Sequence, residues 1–308
     1  MPGAFAHITS IHVAAANNSL MKLNIPKRAK KVLSQNKSFI ELGCVSPDYP
    51  YLAILDSEQN KWADEMHYTN IGGLITELIA LIKVMEGREQ DKAFAWLCGF
   101  VAHVAADITI HPVVELKVGP YAENAKQHRI CEMNQDAYIW PKRMGLGEVG
   151  YADRVRDSLG SCVDSENPQS LDLTILTLWR TALINAYPDY AQQCQPDINA
   201  WHHGFQTVVD NVEEGHHLFA WARHVAAKHG ITYPLQQEVG SEFIENLATP
   251  DGEMHYDAIF DKAIHTIHCF WQQLCLAVFD NQPTDFFKNW NLDTGLCENN
   301  RLTAWEEL

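Results

Sequence analysis

Several features that mark other classes of protein are missing from this chain. Its eight cysteines include no C-x-x-C pair, so a cysteine zinc site is not predicted. No stretch of about 18 apolar residues occurs, so no transmembrane helix is predicted. The chain also lacks the His-Asp dipeptide of one group of helical phosphohydrolases and the G-x-x-x-x-G-K phosphate loop.

The first twenty residues also lack the features of a signal peptide, which are a basic start and an uninterrupted apolar core. We therefore expect a cytoplasmic protein, or one exported by a secretion system that needs no signal peptide. The cysteines are accordingly expected to be mostly reduced and buried.

Basic residues are scarce as well. The sequence has 23 lysines and arginines against 39 aspartates and glutamates, a formal net charge of −16. Such a chain is not expected to bind the phosphate backbone of a nucleic acid, because that binding requires a basic surface. A substrate that carries phosphate is still compatible with this charge, since bound cations change the local field.

What the chain does have is helical periodicity. With 308 residues and 46% hydrophobic residues, it is long and apolar enough for a large core. Apolar residues recur at helical spacing, and no alternating strand pattern or internal repeat appears, which predicts an all-α fold. We expect a metal-binding catalytic region over residues 1–150 and a helical C-terminal extension, packed on it, over 151–308. Helices are predicted over residues 74–85, 93–111, 121–139, 171–186, 198–228, 236–247 and 256–280.

The strongest functional signal is a set of histidines and carboxylates carried by a buried helix. His103 and Asp107 are four residues apart, so they lie on one helical face about a turn apart. Pro112 disfavours helical dihedrals at His111, so we expect the helix to end there and His111 to turn towards the same place. This arrangement predicts a shared metal ion.

A second pair, His128 and Glu132, repeats the four-residue spacing on the next predicted helix. Imidazole and carboxylate together suit zinc or a similar first-row ion. Earlier in the chain, Asp48 lies in a turn bracketed by prolines, and His67 is expected on a loop. His7 is a further candidate on a short N-terminal helix, and His12, five residues later, is then expected to be structural. The histidines after residue 200 lack this carboxylate spacing and predict helix packing instead.

These segments, in order, resemble the zinc-dependent phospholipase C family. The resemblance rests on Leu42-Gly43-Cys44-Val45-Ser46-Pro47-Asp48, the His67 segment, His103-x-x-x-Asp107-x-x-x-His111 and His128-x-x-x-Glu132. That family includes bacterial phosphatidylcholine-cleaving enzymes and the catalytic domain of the glycosylphosphatidylinositol-specific phospholipase D. It shares a fold with the zinc single-strand nucleases. The resemblance therefore implies a multi-helix phospholipase C/nuclease-like bundle with additional C-terminal helices.

The resemblance also implies a cluster of two or three zinc ions. Asp48, His67, His103 and Asp107 would hold one ion, His111, His128 and Glu132 a second, and Asp107 with His7 a third. In secreted bacterial members the third ion also takes the amino group of an N-terminal tryptophan, and this chain has Met1-Pro2-Gly3 at that place. Tyr49 matches an aromatic residue beside the choline pocket, whereas Asp64 stands where a second aromatic is expected.

The implied activity is hydrolysis of a phosphodiester in a phospholipid, with Asp48 orienting or deprotonating the attacking water and a transient contact with a membrane surface. Two other hypotheses stay open. One is a nuclease or nucleotidase on the same scaffold, which should have a basic, aromatic-lined groove beside the metals. The other is a non-catalytic metal-binding interaction protein.

Overall fold

The part of the protein that the structure describes is mainly helical, which confirms the predicted all-α fold. The computed structural model describes residues 3–53, 56–147, 149, 153–210 and 233–306. Its α-helices, numbered in chain order, are α1 (Ala4–Ala14), α2 (Asn17–Lys22), α3 (Lys27–Gln35), α4 (Lys37–Val45), α5 (Ser57–Tyr68), α6 (Ile71–Lys83), α7 (Gly87–Val118), α8 (Tyr121–Met144), α9 (Asp153–Gly160), α10 (Leu173–Ala186), α11 (Pro188–Gln193), α12 (Ile198–Asp210) and α13 (Tyr256–Phe279).

Short elements complete the described part of the chain. Four 3₁₀ helices cover Ser46–Leu52, Gln236–Glu238, Ser241–Phe243 and Thr303–Trp305. Strands β1 (Leu247–Thr249) and β2 (Gly252–Met254) pair as a small antiparallel hairpin. The helix predicted over residues 236–247 is therefore wrong: two 3₁₀ turns and the start of a strand stand there. The predicted helix over 198–228 is confirmed as far as Asp210, and its remainder lies outside the described residues.

Helix α7 is the central element of the bundle. Every residue from 93 to 114 is buried, because α4, α13 and α10 pack around it. Among the described helices it is the one with the length and apolarity of a membrane-spanning helix, but its most apolar 18-residue stretch is wholly buried inside the protein. A core helix has the same composition, and α7 is one here.

The expected end of this helix at His111 is wrong, since α7 continues past Pro112 to Val118. Proline removes the N–H that would pair with the carbonyl of Ile108. The C-terminal segment covers this place: the Trp305 indole N–H donates to the Thr109 carbonyl at 3.1 Å. Tertiary contacts thus support the helix through its proline.

The C-terminal helix α13 packs along the same core. Trp271, which is fully buried, donates its indole N–H to the carbonyl of Cys98 on α7 at 2.8 Å. The predicted division at residue 150 stays a prediction, although the two halves share this hydrophobic core.

A glycine-rich loop follows α8. Gly145, Gly147 and Gly150 have the spacing of a dinucleotide-binding loop, but they follow a helix that ends with Gly145 in the left-handed region. That motif functions after a strand and before a helix. The spacing therefore does not indicate nucleotide binding here.

Candidate metal centre

Four separate elements bring histidine and aspartate side chains together around Asp107. His103 and Asp107 lie one turn apart on α7, with Nε2 and Oδ2 separated by 3.0 Å. His7 on α1 approaches the other oxygen of Asp107 at 3.3 Å. His67 lies 3.4 Å from Oδ1 of Asp48 and 4.0 Å from Oδ2 of Asp107. The structure therefore brings five predicted ligands into one cluster.

The cluster contains two overlapping groups of three possible ligands. One is His7, His103 and Asp107, and the other is Asp48, His67 and His103; within each group the ligand atoms lie within 4.8 Å of one another. All of these side chains are at most 4% exposed. His67 belongs to α5 and not to a loop as expected, since Asp56 caps that helix by accepting hydrogen bonds from two backbone N–H groups.

Backbone carbonyls orient three of the imidazoles. Nδ1 of His67 donates to the Ala63 carbonyl at 2.7 Å and Nδ1 of His103 to the Cys44 carbonyl at 2.9 Å. His111 makes the same bond to the Leu292 carbonyl at 2.5 Å. A histidine ligand is ordinarily held by such a bond to its other ring nitrogen. In each ring, Nε2 is left to face the interior.

Several buried ring nitrogens and carboxylate oxygens in and near the cluster have no hydrogen-bond partner among the described residues. They are both nitrogens of His7, Nε2 of His67, His103 and His111, Oδ1 of Asp48 and both carboxylate oxygens of Asp107. Buried polar atoms are rarely left unpaired, because the desolvation cost is not recovered. Within the two candidate groups, a metal ion would be bound by one nitrogen of each imidazole and by oxygens of Asp48 and Asp107. Neutral imidazoles with carboxylates are the ligand set of zinc, so the residues present fit zinc.

Charges inside the cluster shift the pKa values of its members. Burial alone would raise the pKa of Asp107, but the neighbouring imidazoles of His103 and His7 hold it well below its usual value. The pKa of Asp48 is also lowered, since His103 and His67 outweigh its burial. Burial and the charge of His103 lower the pKa of His7. Both carboxylates are therefore ionised and His7 is neutral at neutral pH. The pKa of His103 is raised, since Asp107 and Asp48 outweigh its burial, so a metal ion bound there would displace a proton from that imidazole.

Two glycines allow α4 and α7 to cross closely enough to build this centre. A Cβ on Gly43 would lie 1.9 Å from the Trp96 carbonyl oxygen, and one on Gly99 would lie 2.0 Å from that of Ile40. The crossing places the Cys44 carbonyl against His103. Ser46, which starts the Asp48 turn, accepts a hydrogen bond from the Trp96 indole at 2.9 Å.

Helix α1 is held in place by a buried carboxyl group. Asp136 on α8 accepts hydrogen bonds from the N–H groups of Phe5 and Ala6 at the start of α1, at 3.4 and 2.8 Å. Gly3 is required beside it, because a Cβ there would lie 1.8 Å from Oδ2 of Asp136. This contact positions His7, one turn further along. His12, as expected, is not part of the cluster and pairs with Glu41 at 2.7 Å.

The second predicted group is not gathered in the same way. Among the described residues, His111, His128 and Glu132 do not form a group with ligand atoms within 4.8 Å. The side chains of His128 and Glu132 are engaged elsewhere: Nε2 of His128 bonds to the Gly119 carbonyl at 2.6 Å, and Glu132 lies 3.8 Å from Arg129. All three residues are buried. Their joint role as ligands stays a prediction.

The predicted headgroup residues lie in different environments. Tyr49 is 1% exposed, and its hydroxyl is 2.7 Å from Nδ1 of His202 on α12. Burial lowers the pKa of His202 to about 4, so this imidazole is neutral at neutral pH. Asp64 accepts a hydrogen bond from the Tyr51 hydroxyl at 3.0 Å. Contact of either predicted residue with a headgroup stays a prediction.

Sequence reasoning missed several residues that support the centre. His202 was expected only to pack between helices, and no pattern linked it to the Asp48 turn 150 residues away. The carbonyls of Cys44 and Leu292 had no signal at all, because every residue carries a carbonyl. The sequence shows that residues 202 and 203 are polar, but it does not show that His202 contacts the turn that carries Asp48.

The fold and this cluster define an all-α protein with a buried histidine–aspartate cluster that could hold metal ions. The sequence profile of the zinc-dependent phospholipase C family matches residues 7–189, more than half of the chain. The protein belongs to that family, as its motifs predicted. Searches of curated proteins and of solved structures returned no match.

Proposed function

We propose that the protein is a zinc-dependent phosphodiester hydrolase that acts as a phospholipase C on glycerophospholipids. The observation that carries this proposal is the buried cluster around Asp107, whose unpaired donor atoms converge from four elements. We propose two or three zinc ions, with Asp107 shared between those held by His7 and by Asp48, His67 and His103. His111, His128 and Glu132 would complete a further position.

Zinc bound in such a cluster supplies Lewis acidity, which offsets charge on a phosphoryl group and lowers the pKa of water. The protein's own contribution is to hold and orient. Asp48 is fixed on a short 3₁₀ helix by the Tyr49–His202 contact next to it. It would orient the attacking water and accept its proton. The water oxygen would bond to phosphorus as the bond to the glycerol oxygen breaks. The proton accepted by Asp48 would pass to that glycerol oxygen, so that diacylglycerol leaves as an alcohol and Asp48 is ionised again.

Exposed side chains close to predicted ligands, in space or along the chain, support a lipid substrate. Tyr68 follows the ligand His67 and is 39% exposed, and Tyr121 is 41% exposed with its ring 5.3 Å from that of His128. Leu116, five residues after His111 on α7, is 57% exposed. Tyrosine suits the boundary between water and lipid, because one end of its side chain is apolar and the other polar. We propose that this edge makes transient contact with a membrane surface.

The nuclease hypothesis is less well supported. A groove for single-stranded nucleic acid combines aromatic rings with basic residues. Here the aromatic side chains next to the cluster are accompanied by carboxylates: Tyr51 bonds to Asp64, and Asp293 lies 3.9 Å from His111. The non-catalytic hypothesis predicts a protein that binds zinc and hydrolyses no lipid, which the release assay tests.

The test is a release assay on zinc-loaded protein. Vesicles of choline, ethanolamine and inositol phospholipids and a single-stranded DNA are each supplied, with and without a chelator. We expect phosphorylated headgroup and diacylglycerol from at least one lipid, with activity lost on chelation. Asp48→Asn should lower the rate about 10²–10⁴-fold, whereas Asp285→Asn, at an exposed position, should not. DNA cleavage without lipid cleavage would contradict the proposal, as would lipid cleavage that the chelator leaves unchanged.

A further inference from the structure

A tight turn over residues 291–296 packs against the metal centre from beyond the stretch that the family profile matches. Asn291 organises it: its side-chain oxygen accepts hydrogen bonds from the N–H groups of Asp293 and Thr294, both at 3.0 Å. The N–H of Asn291 donates to the Leu296 carbonyl and its carbonyl accepts from Gly295, both at 2.8 Å. The 291–296 turn is therefore a defined local structure.

Leu292, which is fully buried, connects this turn to two ligand-bearing helices. Its N–H donates to the carbonyl of His67 on α5 at 2.9 Å. Its carbonyl accepts from Nδ1 of His111 on α7 at 2.5 Å. A histidine that donates through Nδ1 presents Nε2 as its lone pair, and Nε2 of His111 is buried without a partner. Leu292 thus determines which nitrogen of His111 carries the proton, and it also links α5 to α7.

The turn reaches this position because of the proline in α7. A Cβ on Gly295 would lie 2.6 Å from Cγ of Pro112 and 2.8 Å from the carbonyl oxygen of Ile108. That carbonyl is the one deprived of its helical N–H partner by proline. Gly295 has a φ of +70°, which other residues adopt with strain. No larger residue fits at this point without moving the turn.

Asp293 adds a carboxylate on the same side of His111. Its Oδ1 lies 3.9 Å from Nδ1 of His111, and its side chain is 16% exposed. It also accepts from the hydroxyl of Tyr68; burial and this carboxylate raise the pKa of Tyr68. A carboxylate next to the non-ligating nitrogen of a histidine increases the basicity of the ligating nitrogen.

We propose that the 291–296 turn is part of the metal centre: the Leu292 carbonyl presents Nε2 of His111 to a metal ion, and Asp293 is a positioning residue for that imidazole. This inference rests on the proposed zinc centre and extends it to a segment outside the matched family region. It predicts that changes in this turn weaken the ion held through His111 and leave the cluster around Asp107 loaded.

Two variants of the full-length protein test it, with zinc content measured after dialysis and zinc affinity measured by competition with a chromogenic chelator. Gly295→Ala should displace the Leu292 carbonyl, and Asp293→Asn should remove the charge while it keeps the shape. In Asp293→Asn we expect one zinc to bind about 10–100-fold less tightly, with the binding of the others unchanged. In Gly295→Ala the loss should be at least as large, because the Leu292 N–H also bonds to the His67 carbonyl. Cobalt substitution should show the same loss as a decrease in one part of the visible absorption.

Each variant has a matched control. Gly252→Ala introduces a side chain at another positive φ, +110°, with nothing within 4 Å, so it carries the backbone strain without the contact. Asp285→Asn removes a charge from an exposed position. The inference is overturned if folded Gly295→Ala and Asp293→Asn bind zinc as the wild type does, or if Gly252→Ala loses the same ion. If Gly295→Ala does not fold, Asp293→Asn decides alone.

These measurements are independent of lipid hydrolysis. Zinc-loaded wild-type protein that cleaves no lipid would contradict the proposed function and leave the role of the turn intact. If the protein cleaves lipid and its turn variants keep every zinc, the role of the turn is contradicted and the proposed function stands.

Discussion

Replacing Gly43 with alanine should separate α4 from α7 at the point where the metal centre is built. The new Cβ would lie 1.9 Å from the Trp96 carbonyl oxygen and 2.9 Å from the Phe100 nitrogen, where an ordinary contact needs at least 3.4 Å. The helices therefore have to move apart by about 1.5 Å, the difference between the first distance and the last. Neither obstacle is a flexible side chain, so neither can rotate away.

That movement has two consequences of different size. Overpacking of a tightly packed core typically costs about 1–3 kcal/mol, and the rigid backbone on both sides favours the upper end. The neighbouring Cys44 carbonyl, 2.9 Å from Nδ1 of His103, moves with α4, so the hydrogen bond that orients this imidazole is lost. Loss of such a bond lowers metal affinity about 10–100-fold.

The assay is denaturant unfolding with and without zinc, together with zinc affinity from chelator competition. Gly43→Ala should be less stable without zinc and should gain less stability from it than the wild type does. Gly160→Ala is the control, since nothing lies within 4 Å of a Cβ at that exposed helix end. A Gly43→Ala protein with wild-type stability and zinc affinity would refute the reasoning.

Three further predictions follow from single residues. Asp107→Asn should lower zinc content by more than one equivalent in metal analysis, because this carboxylate contacts His7 and His103 from separate elements; full content would contradict its shared role. Burial raises the pKa of Asp136 from 3.8 to about 7, so the folded protein keeps a proton that the unfolded chain releases. The free energy of unfolding should therefore fall between about pH 4 and pH 7, by at most roughly 4 kcal/mol, and Asp136→Asn should remove this part of the pH dependence in denaturant titrations; an unchanged profile would contradict it. Leu116→Ser should lower the rate on phospholipid vesicles about tenfold and leave the rate on a dissolved short-chain lipid unchanged; equal losses on both would argue against membrane contact at this edge.

The prediction for α7 shows which features of a helix can be predicted from neighbouring residues and which cannot. Apolar content and the His103–Asp107 spacing correctly predicted a buried helix that presents two polar side chains on one face. The same local rules placed the end of the helix at His111, because proline disfavours helical dihedrals before it. The helix continues since residues from the far end of the chain, Gly295 and Trp305, pack against the interrupted turn.

His67 is a similar case. The surrounding polar residues suggested a loop, yet Asp56 caps a helix that ends just after the histidine. Its position in the cluster was predicted only through the family resemblance, because residue spacing cannot relate segments 40 residues apart. The Asp48 turn was anticipated from its prolines, but the Tyr49–His202 contact that holds it was not.

The sequence alone determined which atoms are available for a metal: the helical spacing of imidazole and carboxylate, the apolar surroundings that bury them, and the order of motifs that marks the family. The spacing and the apolar surroundings are local properties that depend on a few neighbouring residues, and the order of the motifs can be read directly along the chain. Tertiary structure decided which nitrogen of His103 and of His111 is left without a backbone hydrogen bond, and it did so through the carbonyls of Cys44 and Leu292. A backbone carbonyl has the same chemistry at every position, so only the folded chain reveals which one meets a given histidine.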